Sequence, residues 1–244
     1  MDGFDPMASF GEETAAIYDD EPRGDEAAAV AFLERLAPPP GPALELAVGT
    51  GRIALPLAAR GVRVDGVDQS AAMVARLRAK PGGNAIGVTM GDFADVPVEG
   101  RYPLVYLVFN TIFNLLTQDD QVRCFANVAE HLTDDGSFVV EAAVPSSLYR
   151  LRDDQYVDAE AVGVAEVTLD VGRFDPVTQL LDETHVVLAP EGVRLYPIVT
   201  RYAWPSELDL MARLAGLRLT QRWGGWEGEP FTGASRLHVS VYGR

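Results

Sequence analysis

The chain has 244 residues, a hydrophobic share of 48%, a charged share of 23% and a formal net charge of −16. This is the composition of an ordinary globular protein, long enough to bury a full core as one domain or as one domain with an insertion. So acidic a chain repels nucleic-acid phosphates and anionic membranes, and no apolar run reaches the eighteen or so residues of a membrane span, so neither partner is expected.

Residues 1 to 8 read as a tail, acidic and without an apolar signal core, which predicts a cytoplasmic protein. Ser9 to Ile17 has helical character, with Ser9 as cap and Glu12 three residues on as in a capping box, and it leads to Tyr18. Asp25 to Ala37 is a helix with Ala28, Phe32 and Leu36 on one stripe. The run Pro38-Pro39-Pro40-Gly41-Pro42 ends it and forms a stiff connector.

Leu44 to Leu57 then reads as strand, glycine loop and helix. Small residues at Ala47, Gly49 and Gly51 let the backbone run against a ligand, and the amides opening the next helix point towards it. Gly49-Thr50-Gly51-Arg52-Ile53-Ala54 also fits the loop of dinucleotide enzymes, so the loop alone leaves the nucleotide open. Val62 to Asp68 is an alternating second strand ending in an acid, nineteen residues after Gly49, where a carboxylate can accept both hydroxyls of a ribose. Ser70 caps a helix through Met73, Val74 and Leu77. Ile86 to Met90 is a third strand, and Gly91-Asp92-Phe93 after it puts an acid and an aromatic ring where an adenine would lie.

Together Glu45-Leu46-Ala47-Val48-Gly49-Thr50-Gly51, Asp68-Gln69-Ser70-Ala71-Ala72-Met73 and Gly91-Asp92-Phe93 resemble the class I S-adenosylmethionine-dependent methyltransferases, over about residues 43 to 142. The resemblance implies an α/β fold: a Rossmann-like seven-stranded sheet with its last strand antiparallel, binding S-adenosyl-L-methionine. By position, Glu45 with Ala47 and Gly49 to Gly51 would hold the methionine part, Asp68 with Gln69 and Met73 the ribose side, and Asp92 with Phe93 the adenine. Ala47 stands where the commonest family form has glycine. Tyr18 looks like the tyrosine that related small-molecule N-methyltransferases place over the cofactor; anchoring an N-terminal helix would explain it equally.

Strand four is Leu104 to Phe109, nearly all apolar as a strand covered on both faces should be. Ligands of open parallel sheets sit at the carboxyl ends of strands, so Phe109, Asn110, Thr111 and Phe113 should flank the reactive methyl group. The segment is not the Asn-Pro-Pro-Tyr signature of enzymes that methylate nucleic-acid bases. Asp119 to Leu132 is a helix with Val122, Phe125, Val128 and Ala129 inward, and Asp134-Asp135-Gly136 turns it into strand five, Ser137 to Ala143. The lone cysteine, Cys124, excludes an internal disulfide and reads as a buried small residue.

From Pro145 the pattern changes to three alternating runs, about Val162 to Phe174, Leu180 to Ala189 and Val193 to Tyr202. They read as a small antiparallel sheet inserted after strand five. Similar additions roof the substrate pocket in sugar-amine and glycine N-methyltransferase-like enzymes; an oligomer interface, as in a homodimer, is the alternative. Ser206 caps a last helix stopped by Gly216, and Leu217 to Trp223 with Arg236 to Tyr242 form a closing hairpin. Trp226 and Phe231 in its glycine-rich loop line a substrate site or pack the hairpin down. The resulting division is an N-terminal helical cap (1–42), a core (43–144 and 203–244) and an inserted lid or oligomerisation unit (145–202).

His131 sits where a histidine favours the helix dipole, His185 and His238 read as structural strand residues, and no spacing suggests a metal site. The resemblance implies methyl transfer to a small-molecule acceptor of secondary metabolism. No base is evident for a hydroxyl, which favours an amine, with Asn110 and Tyr18 as the polar groups beside the methyl. A nicotinamide-dependent oxidoreductase shares the loop and Asp68, but the chain has one lysine, Lys80, and no Tyr-x-x-x-Lys arrangement. A third reading is a protein that binds S-adenosylmethionine without turnover and acts as a partner.

Overall fold

The computed structural model describes residues 9–20, 23–37 and 41–244; the tail 1–8 and the prolines 38–40 lie outside the described residues. In chain order the elements are α1 (Glu12–Ile17), α2 (Glu26–Leu36), β1 (Ala43–Leu46), α3 (Ala54–Ala59), β2 (Val64–Asp68), α4 (Ala71–Ala79), β3 (Gly87–Met90) and β4 (Tyr102–Leu107). There follow α5 (Gln118–His131), β5 (Leu132–Ala143), β6 (Gln155–Val162), β7 (Val167–Asp175), β8 (Leu180–Ala189) and β9 (Gly192–Arg201). The chain closes with α6 (Pro205–Leu214), β10 (Arg218–Trp223) and β11 (Leu237–Gly243).

Seven strands make one sheet in the order β3-β2-β1-β4-β5-β11-β10, with β11 antiparallel to both neighbours. The central strands are apolar because helices cover both faces: all of β1 is buried, and Leu104 to Leu107 of β4 likewise. On one face Phe125 of α5 meets Phe138 of β5 and Tyr242 of β11 edge-on, in a cluster that also takes in Leu208 and Met211 of α6. On the other, Phe32 and Leu33 of α2 and Leu57 of α3 pack with Tyr106 and Trp226. Trp226 meets Phe32 edge-on at 5.5 Å, so the hairpin loop uses its tryptophan for packing. Pro103 sits where the β4–β5 register shifts, so a missing N–H costs no ladder bond there.

The second sheet is an antiparallel meander, β6-β7-β8-β9, placed in the chain between β5 and α6. It has four strands where three runs are expected. The extra strand β6 is exposed along nearly its whole length and alternates acids with small residues, so it carries no buried stripe to announce it. Arg201, only 5% exposed, ties the end of this sheet to the core. Its guanidinium donates to Gln121 Oε1 at 2.6 Å, Gln179 Oε1 at 2.8 Å and Glu207 Oε1 at 2.8 Å, a buried charge with its fork satisfied.

Local details correct the sequence reading. Ser9 does not cap α1, which begins behind Gly11; the Ser9 hydroxyl donates instead to the Pro197 carbonyl of β9 at 2.9 Å. Helix α6 starts at Pro205 rather than behind Ser206, as suits a residue without an N–H at the first helical position. The buried face of α2 is Ala29, Val30, Phe32 and Leu33, with Ala28 and Leu36 at its margin. Strand β4 ends at Leu107, because Phe109 and Asn110 both turn left-handed. Among the described residues no helix is long and apolar enough to cross a membrane.

Candidate active site

The loop after β1 is left-handed at three of five positions, with φ +56° at Ala47, +54° at Gly49 and +80° at Gly51. It can lie so low because β2 offers no side chain beneath it: a Cβ on Gly66 would stand 2.6 Å from Cβ of Val48. Gly51 serves the turn and its packing, since a Cβ there would stand 2.4 Å from Leu77 of α4. Gly49 faces open space, where an added Cβ would approach only Met73 Cε at 3.7 Å and the Ala47 carbonyl at 4.0 Å. Thr50 is buried and its hydroxyl donates to Asp19 at 2.7 Å, fastening the segment after α1 to the loop. Lys80 completes that tie, with Nζ 2.7 Å from both the Thr50 carbonyl and Asp19.

Asp68 ends β2 beside this loop. Its Oδ2 accepts from the Gly49 amide at 2.7 Å and its Oδ1 from the Ser70 amide at 2.7 Å. Burial raises its pKa above the usual carboxylate value against the opposing pull of those amides. Ala47, Gly49, Asp68, Gln69, Met73 and Phe93 border one lobe of a cleft at the carboxyl ends of the strands. Asp92 stands apart from its neighbour Phe93: it is half-buried, accepts from the Ala94 amide at 2.8 Å and lies 3.6 Å from Arg123. Glu45 lies beneath the loop at the start of α3, 3% exposed, and accepts from the Tyr106 hydroxyl at 3.0 Å. Burial pushes its carboxyl up to about 8, against the pull of that hydroxyl and of the Ala54 amide.

Beyond β4 the cleft opens into two further lobes of about 360 and 580 Å³, both bordered by Tyr18, Phe109 and Asn110. Phe109 and Asn110 are consecutive non-glycine residues at φ +60°, a conformation costing on the order of 1–3 kcal/mol each that the surroundings must hold. They do so through β5. Buried Glu141 accepts from the Phe109 amide at 2.8 Å, and the Asn110 side-chain oxygen accepts from the Ala143 amide at 2.6 Å. The Asn110 NH₂ is thereby the half of the amide left for the cleft. Arg23 pairs with Glu141 at 3.0 Å and lays its guanidinium 4.3 Å from the centre of the Phe109 ring. Arg52 stacks on Tyr18 in the same way at 4.5 Å. Burial raises the Tyr18 phenol, with Arg52 and Arg23 pulling against it, so the hydroxyl keeps its proton.

The roof of the cleft is one face of the second sheet. Asp158, Asp170, His185 and Tyr196 are successive cross-strand partners, so they share that face. A register shift between Ala159 and Ala161 leaves Glu160 as a bulge residue. His185 Nδ1 lies 2.5 Å from Asp170 and 3.3 Å from Glu160, while Nε2 is 3.9 Å from Glu183. Glu183 is engaged by the Tyr156 hydroxyl, whose ring lies over Gly172, where a Cβ would stand 2.4 Å from it. Glu160, Asp170 and His185 are brought together from three strands, which no spacing along the chain suggests.

Sequence reasoning thus points to the loop and Asp68, which the structure brings to the cleft, and passes over Arg23, Glu141 and the surroundings of His185. Glu141 carries a signal of its own, an acid inside an apolar strand; Arg23 and His185 acquire theirs only from partners far along the chain. The other candidates resolve plainly. Buried Cys124 has its thiol pushed up by burial. His131 bonds the Gly100 carbonyl at 2.9 Å, and buried His238 pairs with Ser240 at 2.7 Å. Phe231 packs beside His238 and under Arg222.

A seven-stranded sheet of this order, with a small-residue loop after the first strand and an acid ending the second, defines a nucleotide-binding α/β enzyme of the Rossmann-like kind. The methyltransferase domain family matches residues 43–136. The CcbJ methyltransferase from Streptomyces caelestis is 39% identical over 98% of this chain and 99% of its own, with a TM-score of 0.91. The cypemycin N-terminal methyltransferase of a Streptomyces species is 27% identical over 201 residues, 82% of each chain. The sugar N-methyltransferase KedS8 from Streptoalloteichus sp ATCC 53650 shares the fold at 20% identity, with a TM-score of 0.69 over 94% of this chain and 92% of its own. The chain belongs to the class I S-adenosylmethionine-dependent methyltransferases. Its cofactor is S-adenosyl-L-methionine, and the open cradle at Gly49 beside buried Asp68 suits that group. The oxidoreductase reading falls with this match.

Proposed function

We propose that the enzyme methylates an amine of a small molecule in secondary metabolism. The observation that carries this is the roof of the cleft: Glu160, Asp170 and Glu183 surround a single imidazole opposite Asn110 and Phe109, a wall suited to a cationic acceptor. The cypemycin relative, by its name, modifies a peptide N-terminus, which is also an amine.

In this reading Asp68 with Gln69 and Met73 takes the ribose side, Phe93 with Asp92 the adenine, and Ala47 to Gly51 with Glu45 the methionine part. The cofactor brings an activated methyl on a sulfonium centre, so the protein's task is alignment and exclusion of water. Phe109, stacked by Arg23, and Tyr18, stacked by Arg52, wall the methyl end. The Asn110 NH₂ and the Tyr18 hydroxyl position the acceptor by hydrogen bonds. Residues 145–202 act as the roof on a core of 43–144 and 203–244, with 1–42 as cap. Dependence on a metabolite of the cell interior supports a cytoplasmic location.

The test is methyl transfer from labelled S-adenosylmethionine to matched panels of small amines and phenols, with calorimetric titration of S-adenosylhomocysteine into wild type and Asp68→Asn. Amine products are expected, and the variant should bind about 10- to 100-fold more weakly, the loss of one charge-assisted hydrogen-bond pattern. Transfer confined to phenols would overturn the amine assignment. Undiminished binding by the variant would overturn the role of Asp68.

A further inference from the structure

We infer that His185, oriented by Asp170, takes the proton from the acceptor's ammonium before its nitrogen is methylated. This rests on the amine reading above. His185 lines both lobes that meet at Phe109, Asn110 and Tyr18. Asp170 is its direct partner across β7 and β8, and Nδ1 lies 2.5 Å from that carboxylate. That carboxylate favours a proton on Nδ1, and the neutral imidazole then carries its lone pair on Nε2. Glu183, the carboxylate facing Nε2, is 3.9 Å away, beyond hydrogen-bonding distance.

The other groups around the methyl end are unsuited to the task. Asn110 has no proton to exchange, Tyr18 holds its own, and Glu141 is paired with Arg23 and accepts from the Phe109 amide. Burial alone would lower the basicity of His185, but Asp170, Glu183 and Glu160 outweigh it and raise its pKa above the ordinary 6.5. That brings the imidazole closer to exchanging its proton at neutral pH, where general bases work best. The remaining titratable and charged groups on or facing the roof are Tyr156 and Asp158 from β6, Tyr196 from β9 and, across the cleft, Tyr18, Arg23 and Arg52. In the step, one N–H bond of the ammonium breaks and its electron pair stays on nitrogen. The proton forms Nε2–H, and the positive charge passes to an imidazolium beside three carboxylates. The partly exposed ring then returns the proton to water.

Three histidines make the test direct. The protein saturated with S-adenosylhomocysteine is titrated from pH 5 to 9 while the histidine Cε1–H resonances are followed, alone, with cyclohexylamine and with cyclohexanol. His185→Gln assigns the resonance, and His238, held down to about 3 by burial, stays silent. The expected result is a His185 pKa above 6.5 that falls by about one unit or more with the amine and stays put with the alcohol, since a second cation disfavours the imidazolium. The ionisation in kcat/KM for cyclohexylamine should vanish in His185→Gln and move to lower pH in Asp170→Asn. A His185 resonance indifferent to the amine, or moved equally by the alcohol, would overturn the inference. So would methyl transfer by His185→Gln with the wild-type pH profile, which would leave the amine reading intact. Failure of wild type to bind S-adenosylhomocysteine would sink the cofactor assignments instead, and calorimetry on the same samples reads that separately.

Discussion

Glu45 is a buried acid whose proton is set by the fold, and replacing it with glutamine isolates that effect. In the folded chain its carboxyl is pushed up to about 8, from an ordinary 4.5, by burial, with the Tyr106 hydroxyl pulling the other way. The phenol is itself raised by burial and by Glu45, so the pair is neutral near pH 7. The sign follows from linkage. Below pH 4.5 folded and unfolded chains both hold the proton and the group's contribution is fully present. As pH rises towards 8 the unfolded chain ionises while the folded one does not, and stability is lost until the folded carboxyl also ionises. Between pH 5 and 8 that loss is about 3–4 kcal/mol, or roughly 10 °C in melting temperature for a chain of this size. Glu45→Gln keeps the shape and removes the titration; its altered hydrogen bonding adds an offset that is the same at every pH. Urea unfolding of both proteins at pH 5, 6, 7 and 8 should therefore show the variant gaining on wild type by about 3–4 kcal/mol across the series. Curves that stay parallel from pH 5 to 8 would refute the argument.

Gly66→Ala should cost about 1–3 kcal/mol, because its new methyl meets Val48 and lifts the loop; Val48→Ala in the same chain should recover much of the loss, and thermal melting of the three variants checks it. Cys124, buried with its thiol pushed up, should not react with a thiol reagent at pH 8 in the native state and should titrate as one thiol after denaturation. Lys80→Ala removes a part-exposed ion pair, so stability should change by at most about 1 kcal/mol, while affinity for S-adenosylhomocysteine falls several-fold as α1 and the loop lose their common tie. Calorimetry and melting on one preparation separate these two effects.

Much of the fold is legible because its signals are local. Ser70 caps α4 by accepting from the Met73 amide, three residues on, and Gly216 ends the last helical segment at φ +76°. The turn at Ala47 to Gly51 needs residues that tolerate positive φ, and those residues stand there. Where a competing long-range contact exists, the local signal fails. Ser9 has the makings of a cap but spends its hydroxyl on the Pro197 carbonyl of β9, far along the chain.

By itself the sequence determined the class of sheet, the small-residue turn after β1 and the acid ending β2, since a strand, a turn and a cap are decided by forces acting over a few residues. Only the tertiary structure decided what stands over the reacting end. Arg23 and Glu141 meet across 118 positions, and His185 finds Asp170 through the register of an antiparallel meander. A one-residue slip in that register would carry His185 to the opposite face of its sheet. The pairing of strands is settled by the burial of whole faces at once, a sum over distant residues that no single stretch of chain contains.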